Sequence, residues 1–327
     1  MLKSLRTRLN YYRRIFGAYL TSRNSQLTFW HEQPEMNRFT PGELGSYYMT
    51  FTSKADYAGP FDRSGVPLLD YLGVIGRQHN PIAIAQYALG NYNVFVATGD
   101  GSRRTKFLST ADWLVDHLEQ NEGGFWVWNH HFDFEYRTPL RAPWYSGLAQ
   151  GQGISVLVRA YSETHDDRYL DAARRAFQCL LALAENGGVI HQDAEGNRWI
   201  EEYIVDPPTH ILNGFMWALW GVYDFMLLTG DKDARKVWAD SLATIKANLH
   251  DYDNGYWSLY EQSGTPLRMI ASPFYHQLHI VQLDVMHRLT GDVFFATYAD
   301  RWRQYQRSRF RRGHALIHKT IFKLSYY

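Results

Sequence analysis

The sequence of 327 residues holds a single cysteine, Cys179, so no internal disulfide can form. Its neighbours Leu180, Leu181 and Leu183 point to a buried, unreactive thiol rather than a nucleophile. Uninterrupted apolar runs of about 18 residues are missing, which excludes an ordinary membrane-spanning helix. The first residues lack the apolar stretch of a secretory leader, so a cytoplasmic address is the expectation. No cluster of Cys and His has zinc spacing. His276 and His279 can share one helix face, but no third ligand lies near them, so neither a metal nor another cofactor is expected. The net charge is only +1, yet it is uneven. Residues 1–31 carry six Lys/Arg and no acid, and residues 301–327 carry eight and no acid. Basic ends attract polyanions or anionic lipid. No nucleic-acid recognition motif accompanies them, so no such partner is expected. Near the start, Leu2, Leu5, Leu9, Tyr12, Phe16 and Tyr19 form an apolar face. A helix packed on the rest of the protein is the first reading, and peripheral contact with a membrane the second.

Internal repetition is abundant. The turns Thr98-Gly99-Asp100, Thr164-His165-Asp166, Thr229-Gly230-Asp231 and Thr290-Gly291-Asp292 recur at spacings of 66, 65 and 61 residues. A helical run precedes each turn and another follows it, so the unit is an αα-hairpin. The first helix of a unit is apolar nearly all round, as in Gly214 to Tyr223, which predicts burial on all sides. The second is amphipathic: Ala172, Ala176, Leu180 and Leu183 share a face. Glycine ends one helix and aspartate caps the next. The predicted fold is mainly α, an incomplete α/α toroid of about four helical hairpins. It spans residues 81–310, between an N-terminal arm (1–80) and a basic C-terminal tail (311–327). Gly45 to Tyr71 mixes Tyr, Thr and Phe with Gly and Pro, which suggests extended or β segments in the arm.

Short turns mark one rim of such a toroid. The other carries the long connections 120–143, 186–212 and 251–274, where a functional site is expected. Aromatic residues are 16% of the chain and crowd these connections. Their flat faces suit sugar rings, although aromatics also fill wide gaps between helices.

Three stretches decide the chemistry: Pro143 to Gln152, which includes Trp144-Tyr145-Ser146; Glu201-Glu202-Tyr203 leading to Asn213-Gly214-Phe215; and Phe274 to His279. Together with Ile154 to Tyr161 and Pro81 to Leu89, they resemble the C-terminal catalytic domain of D-glucuronyl C5-epimerases. Those enzymes convert glucuronate to iduronate in heparosan and heparan sulfate. The likeness spans residues 80–305 and implies the toroid already expected from the repeats. It places catalytic residues at Glu202, Tyr203 and Tyr275. Substrate contacts fall at Asn213, Tyr260 and His276, and within the resembling or neighbouring stretches at Gln86, Tyr87, Glu135, Trp144, Tyr145 and Gln150. The animal enzymes have an arginine soon after the tyrosine matched by Tyr260. Here the sequence reads Glu261-Gln262-Ser263-Gly264, and Arg268 is the expected substitute. The implied partner is an acidic polysaccharide. A homodimer through Tyr326, Tyr327 and the basic tail is a further reading.

The implied chemistry is demanding. C5 of a hexuronate lies α to a carboxylate, so removing its proton concentrates negative charge that the site must stabilise. Inversion then requires a proton from the opposite face. Tyr275 and Tyr203 are the expected proton carriers, with Glu202 as base or polarising group. A tyrosine acts as a base near neutral pH only beside a cation, for which Arg268, Arg137 and a protonated His276 are candidates. Three rivals remain. A polysaccharide lyase shares the C5 abstraction. A glycoside hydrolase needs two opposed carboxylates, for which Asp133, Glu135 and Glu202 are available. A glycan-binding module needs no chemistry at all.

Overall fold

A computed structural model describes residues 29–30, 33–71, 75–136 and 138–326. The N-terminal apolar face, Arg137 and Tyr327 lie outside the described residues. The chain divides into two compact units, one of residues 37–247 and one that includes residues 248–326.

The larger unit holds three helical hairpins: α1 (Pro81–Thr98) with α2 (Gly101–Asp116), α3 (Gly147–Thr164) with α4 (Asp167–Phe177), and α5 (Leu212–Thr229) with α6 (Lys232–Asn248). Helices α1, α3 and α5 pack side by side, with α3 in the middle, and α2 and α4 flank them. The first helices are buried over most of their length, as their largely apolar sequences require, with charge confined to Arg159 and Glu163 in α3 and Asp224 in α5, and the second helices bury one face. Small residues let α3 and α5 approach closely. A Cβ on Gly151 would lie 2.4 Å from the Ala218 Cα, and one on Gly221 2.0 Å from the Gly151 carbonyl oxygen.

The repeated turn works the same way each time. Thr98, Thr164, Thr229 and Thr290 donate their hydroxyls to the carbonyl four residues back and accept the N–H of the following aspartate. Gly99, Gly230 and Gly291 take the left-handed conformation between helices, and His165 takes it in the second repeat at φ 57°. Asp100, Asp166, Asp231 and Asp292 then accept from N–H groups of the next helix. An L side chain in that conformation costs about 1–2 kcal/mol, of which a glycine's freedom in the unfolded chain returns about 0.4–1 kcal/mol. His165→Gly is therefore expected to raise stability by up to about 1 kcal/mol. Its urea midpoint should rise at an unchanged m-value.

The segment ahead of α1 contains one helical turn, Thr52–Ala55, and little strand: β1 (Leu69–Asp70) pairs with β2 (Arg77–Gln78). Tyr47, Tyr48, Met49 and Phe51 are buried. The segment docks by hydrogen bonds, with Asn93 of α1 accepting from Tyr47 N at 2.7 Å and donating to Met49 O at 2.8 Å. A buried ion pair joins it to two helices. Arg159 of α3 meets Asp224 of α5 at 2.6 and 3.1 Å, both side chains fully buried. Tyr48 donates to Asp224 at 2.5 Å, and Arg159 donates to the carbonyls of Gly45 and Ser155. Burial is the largest influence and opposes the guanidinium's charge, but Asp224 together with Tyr48 and Tyr92 outweighs it and holds Arg159 protonated.

Two small hairpins complete this unit. β3 (Glu119–Gln120) pairs with β4 (Trp126–Val127), and β5 (Ile190–Gln192) with β6 (Arg198–Ile200).

In the smaller unit, α7 (Pro273–Thr290) pairs with α8 (Val293–Arg307), and α9 (Arg309–Tyr326) packs on α8. Residues 311–327, expected as a tail, thus belong almost wholly to a helix that buries Ala315, Leu316, Lys319 and Phe322. No helix among the described residues is long and apolar enough to cross a membrane.

Candidate active site

The Glu-Glu-Tyr motif follows β6 directly, and its two carboxylates diverge. Glu201 is anchored by its backbone: its N–H donates to Val189 O at 2.8 Å, and its carbonyl accepts from Gly147 N at 2.9 Å. Its side chain is 2% exposed and is engaged by His210, through the ring Nδ1 and through the backbone N at 3.1 Å. His210 in turn stacks on Trp199 with ring centroids 4.4 Å apart. Glu201 is therefore a structural acid.

Glu202 turns toward the N-terminus of α5. It is 5% exposed, and Asn213 Nδ2 donates to its Oε2 at 3.5 Å. No side chain of Ile211 caps that helix. The carboxylate instead lies over the first turn, so close that a Cβ on Gly214 would sit 2.2 Å from Oε2. The partial positive charge of a helix N-terminus favours an anion there. This explains why Asn-Gly follows Glu-Glu-Tyr at a distance: asparagine reaches the carboxylate, and glycine leaves room for it.

Tyr203 is half-buried in an aromatic cluster. Its ring centroid lies 4.8 Å from Tyr136, 5.8 Å from Trp144 and 6.1 Å from Phe134. Trp144 is fixed from both sides, stacking on His130 at 3.7 Å and donating Nε1 to Phe132 O at 2.8 Å. In the larger unit Glu202 thus meets Asn213, and its chain neighbour Tyr203 meets Trp144.

Other residues expected to touch substrate have their side chains engaged within the protein. Gln86 is 1% exposed and donates to Gln152 at 3.1 Å. Gln150 is fully buried, accepting from Trp128 N and donating to the carbonyls of Trp126 and Ala176. Tyr87 is buried beside Phe61. Tyr145 is half-buried and donates to Gly187 O at 3.1 Å. Glu135 is exposed.

In the smaller unit, Tyr275 occupies the first turn of α7, where its N–H donates to the Ser272 cap at 3.3 Å. The Tyr275 ring meets Tyr260 edge-on with centroids 4.8 Å apart. His276 faces inward. It stacks on Trp257 at 3.9 Å, donates Nε2–H to Trp302 O at 3.0 Å, and accepts at Nδ1 from Ser258 N at 3.1 Å. Burial pushes its pKa down to about 3. A protonated His276, one of the cations proposed to activate a tyrosine, does not fit this setting near neutral pH: the ring is buried, and both nitrogens are engaged. Arg268 is exposed and lines a cavity of about 320 Å³ with Asp251, Glu261, Gln262 and Thr265. That volume is at the lower end of small-molecule sites. Sequence reasoning missed Lys319. It is buried on α9 with Nζ donating to Ile270 O at 2.7 Å, and burial lowers its pKa to about 7. The Ala315, Leu316, Phe322 spacing was the available signal. Among the described residues, no group of three His, Cys, Asp or Glu is placed to hold a metal.

The buried histidines make stability pH-dependent. His130 and His276 titrate near 3, and His279 is pushed well below 6.5, all chiefly by burial. Below about pH 6.5 the unfolded chain takes up protons that the native protein refuses, so stability falls as pH falls toward 3. Each histidine contributes up to about 1.4 kcal/mol per pH unit in that window. Urea midpoints at pH 7.5 and 5 should differ accordingly, and the difference should shrink in His279→Gln.

A model of the D-glucuronyl C5-epimerase C-terminus matches residues 120–304, more than half of the chain. The chain belongs to that family. Epimerase-family residues extend into both units, covering Glu202, Tyr203 and Tyr275. Over 214 residues the chain is 31% identical to a D-glucuronyl C5-epimerase of Caenorhabditis elegans, covering 61% of this chain and 34% of that protein. Over 200 residues it is 31% identical to an uncharacterized protein of Methanocaldococcus jannaschii, covering 60% of this chain and 63% of that one. The chain thus spans about a third of the nematode protein and under two thirds of the archaeal one.

Two solved structures are similar in fold. A glycoside hydrolase family 76 mannosidase of Bacteroides thetaiotaomicron has TM-score 0.50 and 13% identity, over 89% of this chain and 82% of that one. A cellobiose 2-epimerase of Spirochaeta thermophila has TM-score 0.50 and 13% identity, over 92% and 85%. Both are α/α toroids, the fold the repeats predict. At this identity the likeness concerns the fold alone.

Proposed function

We propose that this protein is an isomerase that inverts C5 of D-glucuronate residues within a heparosan-like polysaccharide, giving L-iduronate. The observation that carries the reading is the Glu202 carboxylate, buried against the first turn of α5 by Asn213 and Gly214, inside the stretch that defines the family. In this reading a carboxylate so held acts as base toward C5, or polarises the adjacent Tyr203. Where Glu202 takes the C5 proton directly it keeps it, and where Tyr203 takes it Tyr203 passes its own hydroxyl proton to Glu202; Tyr275 returns a proton to C5 from the opposite face. Arg268 neutralises the substrate carboxylate as charge develops on it. No cofactor enters this scheme, because both transfers are proton transfers.

What favours this reading over hydrolysis is the family match. Of the acids a hydrolase could pair with Glu202, Asp133 is bound by Arg141 at 2.5 Å and by Ala142 N at 3.0 Å, while Glu135 is exposed. A hydrolase needs two carboxyl groups free to face one glycosidic bond. The test is product analysis after incubation with heparosan. Iduronate in an uncleaved polymer supports the reading. Shortened chains with unsaturated ends, seen by their ultraviolet absorbance, identify a lyase, and shortened saturated chains a hydrolase. Retained polymer with unchanged composition leaves only binding, and overturns it.

A further inference from the structure

Helix α9 has two apolar sides, and only one of them is covered. Opposite its buried face it exposes Phe310 (84%), Ile317 (61%), Ile321 (50%) and Leu324 (69%). At the helical pitch these four side chains fall within an arc of about 60°. Ile317, Ile321 and Leu324 adjoin on this face, with Phe310 two turns before them beyond Gly313 and His314, and an exposed cluster of large apolar groups marks a docking surface. The charge beside it is one-sided. Residues 301–327 hold eight Lys/Arg and no acid; Arg301 and Arg303 pair with Asp253, Asp284 and Asp300 and Lys319 is buried, which leaves Arg307, Arg309, Arg311, Arg312 and Lys323. Arg307 closes α8, while Arg309, Arg311 and Arg312 open α9. Arg311 lies over the Tyr305 ring at 4.3 Å, while arginines at a helix N-terminus oppose its dipole, so helix stability does not account for Arg309 and Arg312.

We propose that α9 lies on an anionic lipid surface, with its arginines at the headgroup phosphates and its four apolar side chains at the acyl boundary. An apolar stripe beside cationic residues is the pattern of an interfacial helix. A second copy is a poorer occupant, because it brings the same positive charge with no acid to meet it. An acidic polysaccharide satisfies the arginines but gives no reason for exposed Ile317, Ile321 and Leu324. The helix begins beyond the family match, which ends at residue 304, and the proposal does not rest on the epimerase reading.

The test is flotation of the full chain with phosphatidylcholine vesicles, with and without phosphatidylglycerol. The expected result is partitioning onto the anionic vesicles that falls about tenfold for each of Ile317→Glu and Ile321→Glu. Both side chains are exposed, so the variants should fold. As a second readout, Phe310→Trp fluorescence should shift to the blue only with anionic vesicles. Absence of binding, or binding indifferent to both substitutions, overturns the proposal. So does a change in oligomeric state, or in heparosan binding, with vesicle partitioning unaltered.

Discussion

Glu202→Gln is expected to lower C5 hydrogen exchange about 10²–10⁴-fold while the protein stays folded. The amide keeps the size of the side chain and its place near Asn213, but it cannot accept a proton. Gly214→Ala should reduce exchange as well without touching any acid, because its Cβ would fall 2.2 Å from Glu202 Oε2 and push the carboxylate off the helix end. Tyr203→Phe removes one hydroxyl from an otherwise unchanged aromatic cluster, and the loss should fall on kcat. Glu201→Gln is the contrasting variant. Its carboxylate holds His210, so its effect should appear in the melting temperature more than in chemistry. Exchange rates beside thermal melts separate these cases. Near-normal exchange in Glu202→Gln would remove Glu202 from the mechanism.

Asp224→Ala is expected to cost about 3–5 kcal/mol, because it leaves the Arg159 guanidinium buried without its counter-charge. Against a typical stability of about 5–15 kcal/mol, that is enough to unfold a substantial fraction of the protein. The pair also fastens residues 45–48 to α3 and α5, since Tyr48 and Gly45 bond to the same two side chains. Arg159→Met combined with Asp224→Leu should recover most of the loss, as apolar groups of similar size need no partner. Equilibrium unfolding in urea measures both. A cost under about 1 kcal/mol for Asp224→Ala would show that the pair is solvated.

The repeats could be read from the sequence because the chemistry that makes them is local. Threonine bonds back one helical turn, glycine supplies a positive φ, and aspartate caps the next helix, all within a few residues. His165 fits the pattern as a strained substitute. Buried first helices were equally legible from their lack of charge. Arg159 and Asp224 each stand as a charge in a helix interior otherwise apolar, but the sequence does not single them out as a pair, because their pairing joins residues 65 apart. The roles of Glu201 and Glu202 could not be told apart. Adjacent residues leaving a strand point opposite ways, and only the fold decides which meets His210 and which meets Gly214. Polar residues inside α1 and α3 were equally hard to place from the sequence. Gln86 and Gln150 read as ligand contacts, but their side chains bond to protein groups that burial would otherwise leave unpaired. His276 carried no sequence signal for the Trp257 stack and the Trp302 carbonyl that hold it neutral.

The most direct measurement is NMR at C5 after incubating the full chain with heparosan in deuterium oxide. The account predicts deuterium at C5 of glucuronate and iduronate residues in an intact polymer, and none when Tyr275→Phe or Glu202→Gln replaces the native chain. Polymer that binds yet keeps its C5 hydrogen, or exchange that survives both substitutions, contradicts it.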